Sequence, residues 1–245
     1  MTSKLRNLLR MAAGPLRERG WVETVRSVRS CWYDRKHERA APFDATFGTD
    51  TERSVTIADL DASGADVPAL WRYWPTSRDA FTTLMRDVDV PFGDTVFVDL
   101  GSGKGRVLLM ASELGFRKIV GVELSPALHQ IALDNVRRWR SATRATADIE
   151  LLCMDARDWV PPTAPTLIYL FQPFPVEIMH AVLERLAGRL QAAPRARIHL
   201  AYLNPLHHAL IVGSGAFELR RWGRAGQKGA FDWAIYRSLA ATPAR

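Results

Sequence analysis

From residue 95 onward the apolar positions of the chain fall into two alternating patterns. "TVFVDL" (95–100) is a continuous apolar run ending in an acid, as expected for a strand buried on both faces of a parallel sheet. A helical stretch over 104–114 follows and is ended by Gly115. "KIVGVE" (118–123) is a second strand, and Ser125-Pro126 then caps a helix reaching about Trp139, with proline at the first helical position. "IELLCMD" (149–155) and "TLIYLF" (166–171) read as the third and fourth strands, "VEIMHAVLERLAGRL" (176–190) as the helix after them, and "ARIHLAYL" (196–203) as the fifth strand. The chain ends differently. "FELRRWG" and "FDWAIYRSL" are joined only by "RAGQKGA", a hairpin spacing too short for a crossover helix. The pattern predicts an α/β fold: a doubly wound, mostly parallel sheet with an antiparallel C-terminal hairpin.

Upstream of the alternating region the pattern changes. Trp21, Val25, Val28 and Trp32 recur at helical spacing with Arg26, Arg29 and Arg35 between them, which predicts an amphipathic helix with an arginine-rich outer face. Residues 40–69 are polar and rich in Gly and Asp, and read as irregular linking structure. The expected organisation is a basic helical N-terminal arm and linker over 1–69 and one domain over 70–245.

Charge sharpens that division. The 245 residues are 47% hydrophobic and 24% charged, a globular composition, with a net charge of +7. Residues 1–40 hold ten Lys/Arg and four Asp/Glu (+6); the rest hold 23 and 22 (+1). The basicity belongs to the arm, which can pack on the domain or meet an acidic partner, while the near-neutral body lacks the basic stripe of a nucleic-acid-binding module. No apolar run is long enough to span a membrane, and Arg10 interrupts the short apolar segment near the start, so a cytoplasmic protein is expected. Cys31 and Cys153 have no CxxC spacing and suit a reducing compartment.

The candidate chemistry begins at the glycine turn after the first strand. A phosphate-binding loop needs Ser or Thr after Gly-Lys, but Gly105 follows Lys104. A dinucleotide fingerprint needs glycine where Arg106 stands. The turn is instead GxGxG, two residues after Asp99. Glu123 ends the second strand 24 residues later, where a carboxylate can accept hydrogen bonds from both hydroxyls of an adenosine ribose. Asp155 closes the third strand segment. Acids at three successive strand ends suit a cationic, nucleoside-bearing ligand.

These motifs resemble the class I, seven-stranded S-adenosylmethionine-dependent methyltransferases: "DLGSGKGR" their first motif, "GVELSP" the second, "CMDARDW" the third and "YLFQPFP" the fourth, in order over about residues 70–240. The resemblance implies a seven-stranded Rossmann-like sheet, S-adenosylmethionine as cofactor and S-adenosylhomocysteine as product. It places Asp99 near the methionine moiety, Gly101, Ser102, Gly103 and Gly105 along the cofactor, Glu123 on the ribose with Leu124 beside it, and Asp155 and Ala156 at the adenine. Upstream, "WRYWPTSRDAFTTLM" is similar to a segment that several seven-strand protein-lysine methyltransferases fold over the methionine part of the cofactor. Tyr73 and Thr76 then belong to the cofactor site, although Thr76 or Ser77 can equally be a plain helix cap.

For the acceptor, Gln172-Pro173-Phe174-Pro175 stands where amine-directed enzymes of this class have [DNS]-P-P-[YFW]; it keeps an amide, a proline and an aromatic and lacks the paired prolines. Gln172 and Phe174, with Tyr202 and Asn204 after the fifth strand, are the candidate catalytic residues. His207 and His208 are adjacent, with no third ligand at useful spacing, so a metal site is not expected; one of them can serve as base for an oxygen nucleophile. The expected function is N-methylation of an amine in a protein, peptide or small molecule. The alternatives are a His-assisted O-methyltransferase, an NAD-dependent oxidoreductase and a non-catalytic nucleic-acid-binding module.

Overall fold

The computed structural model describes residues 43–53, 73–171, 174–226 and 229–239. The amphipathic stripe from Trp21 to Trp32, and residues 54–69 of the expected linker, lie outside them. Among the described residues no helix is long and apolar enough to cross a membrane.

The strands with no polar face take the centre of the sheet. β1 (Val96–Leu100) is buried along its whole length and lies between β2 (Lys118–Glu123) and β4 (Thr166–Phe171), parallel to both. β3 (Ile149–Cys153) extends the sheet beyond β2, and β5 (Ile198–Leu203) extends it beyond β4. The last two strands, β6 (Phe217–Ala225) and β7 (Phe231–Ser238), form the expected antiparallel hairpin, with β7 against β5. The order is β3-β2-β1-β4-β5-β7-β6, so the winding reverses between β1 and β4. In such sheets the ligand crevice opens at that switch point, beyond the carboxyl ends of the strands.

The period-two alternation sends side chains into two cores. Phe97, Tyr169, Ala201 and Ile235 face a cluster that includes Phe81, Leu84 and Met85 of α2 (Arg78–Arg86), Leu108 of α3 (Arg106–Ala111) and Trp139 of α4 (Pro126–Thr143). Val98, Leu170, Leu200 and Tyr202 face the other, with Met179, Val182, Leu183 and Leu186 of α5 (Val176–Ala192). A short helix, His208–Gly213, precedes the hairpin. Two helices start as their caps predict: the Ser77 Oγ accepts from the Ala80 N–H at 3.2 Å, and the Ser125 Oγ from the Leu128 N–H at 3.4 Å.

Two boundaries differ from the sequence expectation for physical reasons. The helix expected over 104–114 shrinks to Arg106–Ala111 because Gly105 is left-handed (φ 80°) and so stays outside it, while the Glu113 and Leu114 N–H groups bond back only three residues, to Met110 and Ala111. Residues 43–53, read as irregular linker, belong to the domain. A one-turn helix, α1 (Phe43–Phe47), stacks Phe43 on Trp139 with ring centroids 5.5 Å apart. The Asp44 carboxylate then gathers the following loop: one oxygen accepts from the Thr49 and Thr51 hydroxyls, the other from the Thr51 and Glu52 N–H groups, all at 2.7 Å.

Candidate active site

The glycine turn is built by folding the chain back over the end of β2. The Gly101 and Ser102 N–H groups both donate to the Val122 carbonyl, at 2.9 and 3.0 Å. The turn needs left-handed backbone at three alternate positions, Gly101 (φ 86°), Gly103 (φ 53°) and Gly105 (φ 80°), where a side chain would be strained. Its middle is anchored on the next strand end. The Gly103 N–H donates to one Glu123 carboxylate oxygen at 2.8 Å, and the Ser125 N–H to the other at 2.8 Å. The carboxylate keeps lone-pair capacity for a further donor. The Ser102 Oγ is buried with no hydrogen-bond partner among the described residues.

Asp99 and Glu123 are both nearly buried. Burial, and then the Glu123 charge, pushes the Asp99 carboxyl well above the usual carboxylate range. Burial also raises Glu123, opposed by the N–H donors of Ser125, Gly103 and Leu124. Between the ordinary value near pH 4 and the folded-state value, the folded protein therefore holds protons that the unfolded chain has released. Stability contributed by these groups falls as pH rises through that window. Asp99→Asn removes the buried charge and is expected to flatten this decline in ligand-free protein. Urea unfolding between pH 5 and 8 checks it; an unchanged slope would exclude Asp99 as the source.

Above the turn lies the 73–77 segment. Filling the Gly103 Cβ position would bring an atom to 2.4 Å from the Tyr73 ring, so ring and turn are in direct contact. The Tyr73 hydroxyl donates to the Thr51 carbonyl at 2.8 Å. Thr76 pairs with the Tyr169 hydroxyl at 2.9 Å, and Ser77 is the helix cap. The two cations of "GKGR" hold this layer. Lys104 is fully buried with its ammonium 2.9 Å from Asp50. Arg106, which the sequence offered only as an obstacle to dinucleotide packing, lies under the Phe43 ring at 4.4 Å and donates to the Thr76 carbonyl (2.9 Å) and the Thr51 hydroxyl (2.8 Å). Sequence reasoning missed Asp50, Thr51 and Asn135. The available signal was a pair of cations at 104 and 106 inside a turn destined for burial.

Where the adenine is expected, Ala156 is buried and Leu124 half-buried. The Asp155 carboxylate is turned to its own loop, where the Arg157 guanidinium grips both oxygens (2.7–3.1 Å) and its N–H donates at 2.8 Å, holding the carboxyl below its usual range. An adenine contact from the Asp155 side chain would compete with this grip.

At the acceptor rim, Gln172 and Pro173 lie outside the described residues. Phe174 is buried, and its carbonyl accepts from the His207 Nε2 at 3.1 Å. Because a carbonyl only accepts, Nε2 carries the proton. His208 Nδ1 meets the Tyr236 hydroxyl at 2.9 Å. Asn204 sits just beyond β5 with left-handed backbone (φ 55°), its N–H donating to the Asp232 carbonyl at 2.7 Å and its buried Nδ2 without a partner among the described residues. Tyr202 pairs in register with Leu170 and is fully buried in the cluster beneath α5 that also holds Phe174, on the sheet face opposite Phe97 and Tyr169. No cluster of His, Cys, Asp and Glu among the described residues could hold a metal ion.

A family model described as "Histone methylation protein DOT1" matches residues 73–146, the span that holds the Tyr73 segment, the glycine turn and Glu123. No curated protein matches the chain by sequence. Among solved structures, a putative methyltransferase from Escherichia coli, yhhF, is 17% identical over 68% of this chain and 89% of its own, with a TM-score of 0.51. TrmN from Thermus thermophilus is 21% identical over 65% of this chain and 48% of its own, with a TM-score of 0.48. A SAM dependent methyltransferase from Aquifex aeolicus is 15% identical over 65% of this chain and 89% of its own, also at 0.48. Strand order, glycine turn and the match over 73–146 give the chain the seven-stranded fold of the class I methyltransferases.

Proposed function

We propose that this methyltransferase acts on an amine nitrogen, in a protein, a peptide or a small molecule. One observation carries the reading: the family model for histone methylation covers the Tyr73–Ser77 segment as well as the glycine turn, so the likeness includes the layer above the turn. The residues present fit the cofactor. Glu123, a buried strand-end carboxylate with lone-pair capacity left, is suited to a ribose diol; the unpartnered Ser102 hydroxyl and the Asp99 carboxyl are suited to polar groups nearer the methionine end. Bound there, S-adenosylmethionine supplies an electrophilic methyl group on a sulfonium. The chain's own task is then mainly orientation, because an in-line displacement needs its nucleophile held close and aligned.

Phe174 and Asn204, with Gln172 of the same rim, are the groups we assign to that task. The Phe174 carbonyl retains a lone pair beside its bond from His207 and can accept an acceptor N–H; the Asn204 amide can fix the acceptor's orientation. The amine must arrive neutral, since a protonated nitrogen has no lone pair to offer. A His-assisted O-methylation would have to use His207 Nδ1, since Nε2 donates to the Phe174 carbonyl, while His208 Nδ1 meets the Tyr236 hydroxyl. The +6 charge of residues 1–40 suits an acidic partner.

Labelled S-adenosylmethionine offered with protein, peptide and small-molecule acceptors, followed by mass spectrometry of the product bond, tests the reading. Methyl groups on nitrogen are expected, and products confined to hydroxyl or carboxyl oxygen would overturn it. Asn204→Ala should lower turnover about 10–100-fold with S-adenosylhomocysteine affinity unchanged, the pattern of a contact that matters most in the transition state.

A further inference from the structure

We infer that Asp50 and Thr51 are positioning residues for the cofactor turn, so that residues 43–53, which lie outside the matched span 73–146, form a strap on which cofactor affinity depends; the inference rests on the cofactor reading above. The strap grips the turn at several points. Lys104, inside the turn, is fully buried, and among the described residues its ammonium has one carboxylate, Asp50, at 2.9 Å. A buried ammonium without a counter-charge is strongly unfavourable, so Asp50 fixes where Lys104 can sit. Asn135 of α4 then ties strap and turn through one amide. Its oxygen accepts from the Asp50 N–H at 2.8 Å, and its Nδ2 donates to the Asp50 carbonyl (3.1 Å) and to the Lys104 carbonyl (2.9 Å). Thr51 adds two more ties, its hydroxyl accepting from Arg106 and its carbonyl from the Tyr73 hydroxyl.

These contacts lead to the ribose carboxylate. Thr51 holds the Tyr73 hydroxyl, the Tyr73 ring lies against Gly103, and the Gly103 N–H rests on Glu123. Asp50 acts on the same turn from the other side, through Lys104. None of the strap's residues needs to touch the ligand. The strap selects the turn conformation in which the Gly103 N–H and the Glu123 carboxylate are correctly set, and by linkage a ligand that binds this conformation must in turn stabilise the strap.

Two measurements on the full chain test this, with S-adenosylhomocysteine as probe. By calorimetry, Asp50→Asn should weaken S-adenosylhomocysteine binding at least tenfold at a temperature where the variant is folded, and Asp50→Glu should recover part of the loss. By hydrogen exchange on the unmodified protein, adding S-adenosylhomocysteine should slow the amides of Asp50, Thr51 and Glu52 together with those of 101–105. If wild type binds the probe and protects 101–105 but not 50–52, the inference fails, whether or not Asp50→Asn folds. A variant with a lowered melting temperature and an unchanged dissociation constant would reduce the strap to a stability element. If wild type binds no S-adenosylhomocysteine at all, it is the cofactor reading that fails.

Discussion

Glu123→Ala should weaken S-adenosylhomocysteine binding by about 100-fold or more. A hydrogen bond to a charged group contributes about 1.5–3 kcal/mol, and each 1.4 kcal/mol is a factor of ten. On the proposed reading the carboxylate has two ribose hydroxyls to satisfy, and it is buried, so water replaces it poorly. The substitution also releases the Gly103 and Ser125 N–H groups, the two bonds that fix the turn and the start of α4. Glu123→Gln separates the two effects. It keeps the shape, yet its amide N–H₂ would face one of those N–H donors, so the turn is disturbed on one side only and a smaller loss is expected. Titration calorimetry with a thermal melt on each variant reads affinity apart from folding. A Glu123→Ala protein that stays folded and binds within threefold of wild type would remove Glu123 from the ribose site. Binding of NADH in place of either sulfur compound would return the chain to the dinucleotide alternative.

The parts of this site that the sequence made legible are those written in local pattern. β2 and β4 fall where "KIVGVE" and "TLIYLF" place them, because an unbroken apolar run bounded by turn residues is a short-range signal. The hairpin follows from a connection too short for a helix. Glu123 follows from its place at a strand end. What escaped depends on partners far away in the chain. Arg106 reads as a steric obstacle when seen among its neighbours, whereas its partners are Thr51 and Thr76, 55 and 30 residues earlier. Residues 43–53 read as linker because they are polar, yet that polarity is consumed internally by Asp44 and externally by Lys104, Arg106 and Asn135. The burial of Tyr202 is a matter of register: a strand end names both faces of the sheet, and only the pairing with Leu170 says which face a residue takes. Asp155 lies two residues beyond the end of β3, and an arginine two residues further on claims its charge.

Gly103→Ala should be strongly damaging, and more so than Gly105→Ala in the same turn. The new Cβ would lie 2.4 and 2.5 Å from two carbons of the Tyr73 ring, well inside contact distance, and the residue would have to hold a φ of 53°. Left-handed backbone costs a non-glycine residue roughly 1–2 kcal/mol, and forced overpacking a further 1–3 kcal/mol or so. A loss of about 2–5 kcal/mol is thus expected, large beside the roughly 5–15 kcal/mol that holds a typical domain together. Gly105→Ala is the comparator: its φ of 80° is strained as well, but the tightest contact of its Cβ would be the Ala132 methyl at 3.2 Å, so it should cost less. The ring cannot step aside freely, since its hydroxyl is tied to the Thr51 carbonyl and the ring itself is buried. Any relief therefore moves either the strap or the turn, and with the turn the Gly103 N–H that rests on Glu123. Affinity for S-adenosylhomocysteine should fall along with stability. The double variant Gly103→Ala, Tyr73→Ala decides the cause, measured by urea unfolding. With the ring gone the clash vanishes and only the backbone strain remains, so the double variant should be less destabilised than the sum of the two single changes by more than 1 kcal/mol or so, the size of coupling seen between residues in contact. Strict additivity would mean that the Tyr73 ring is not what keeps position 103 bare.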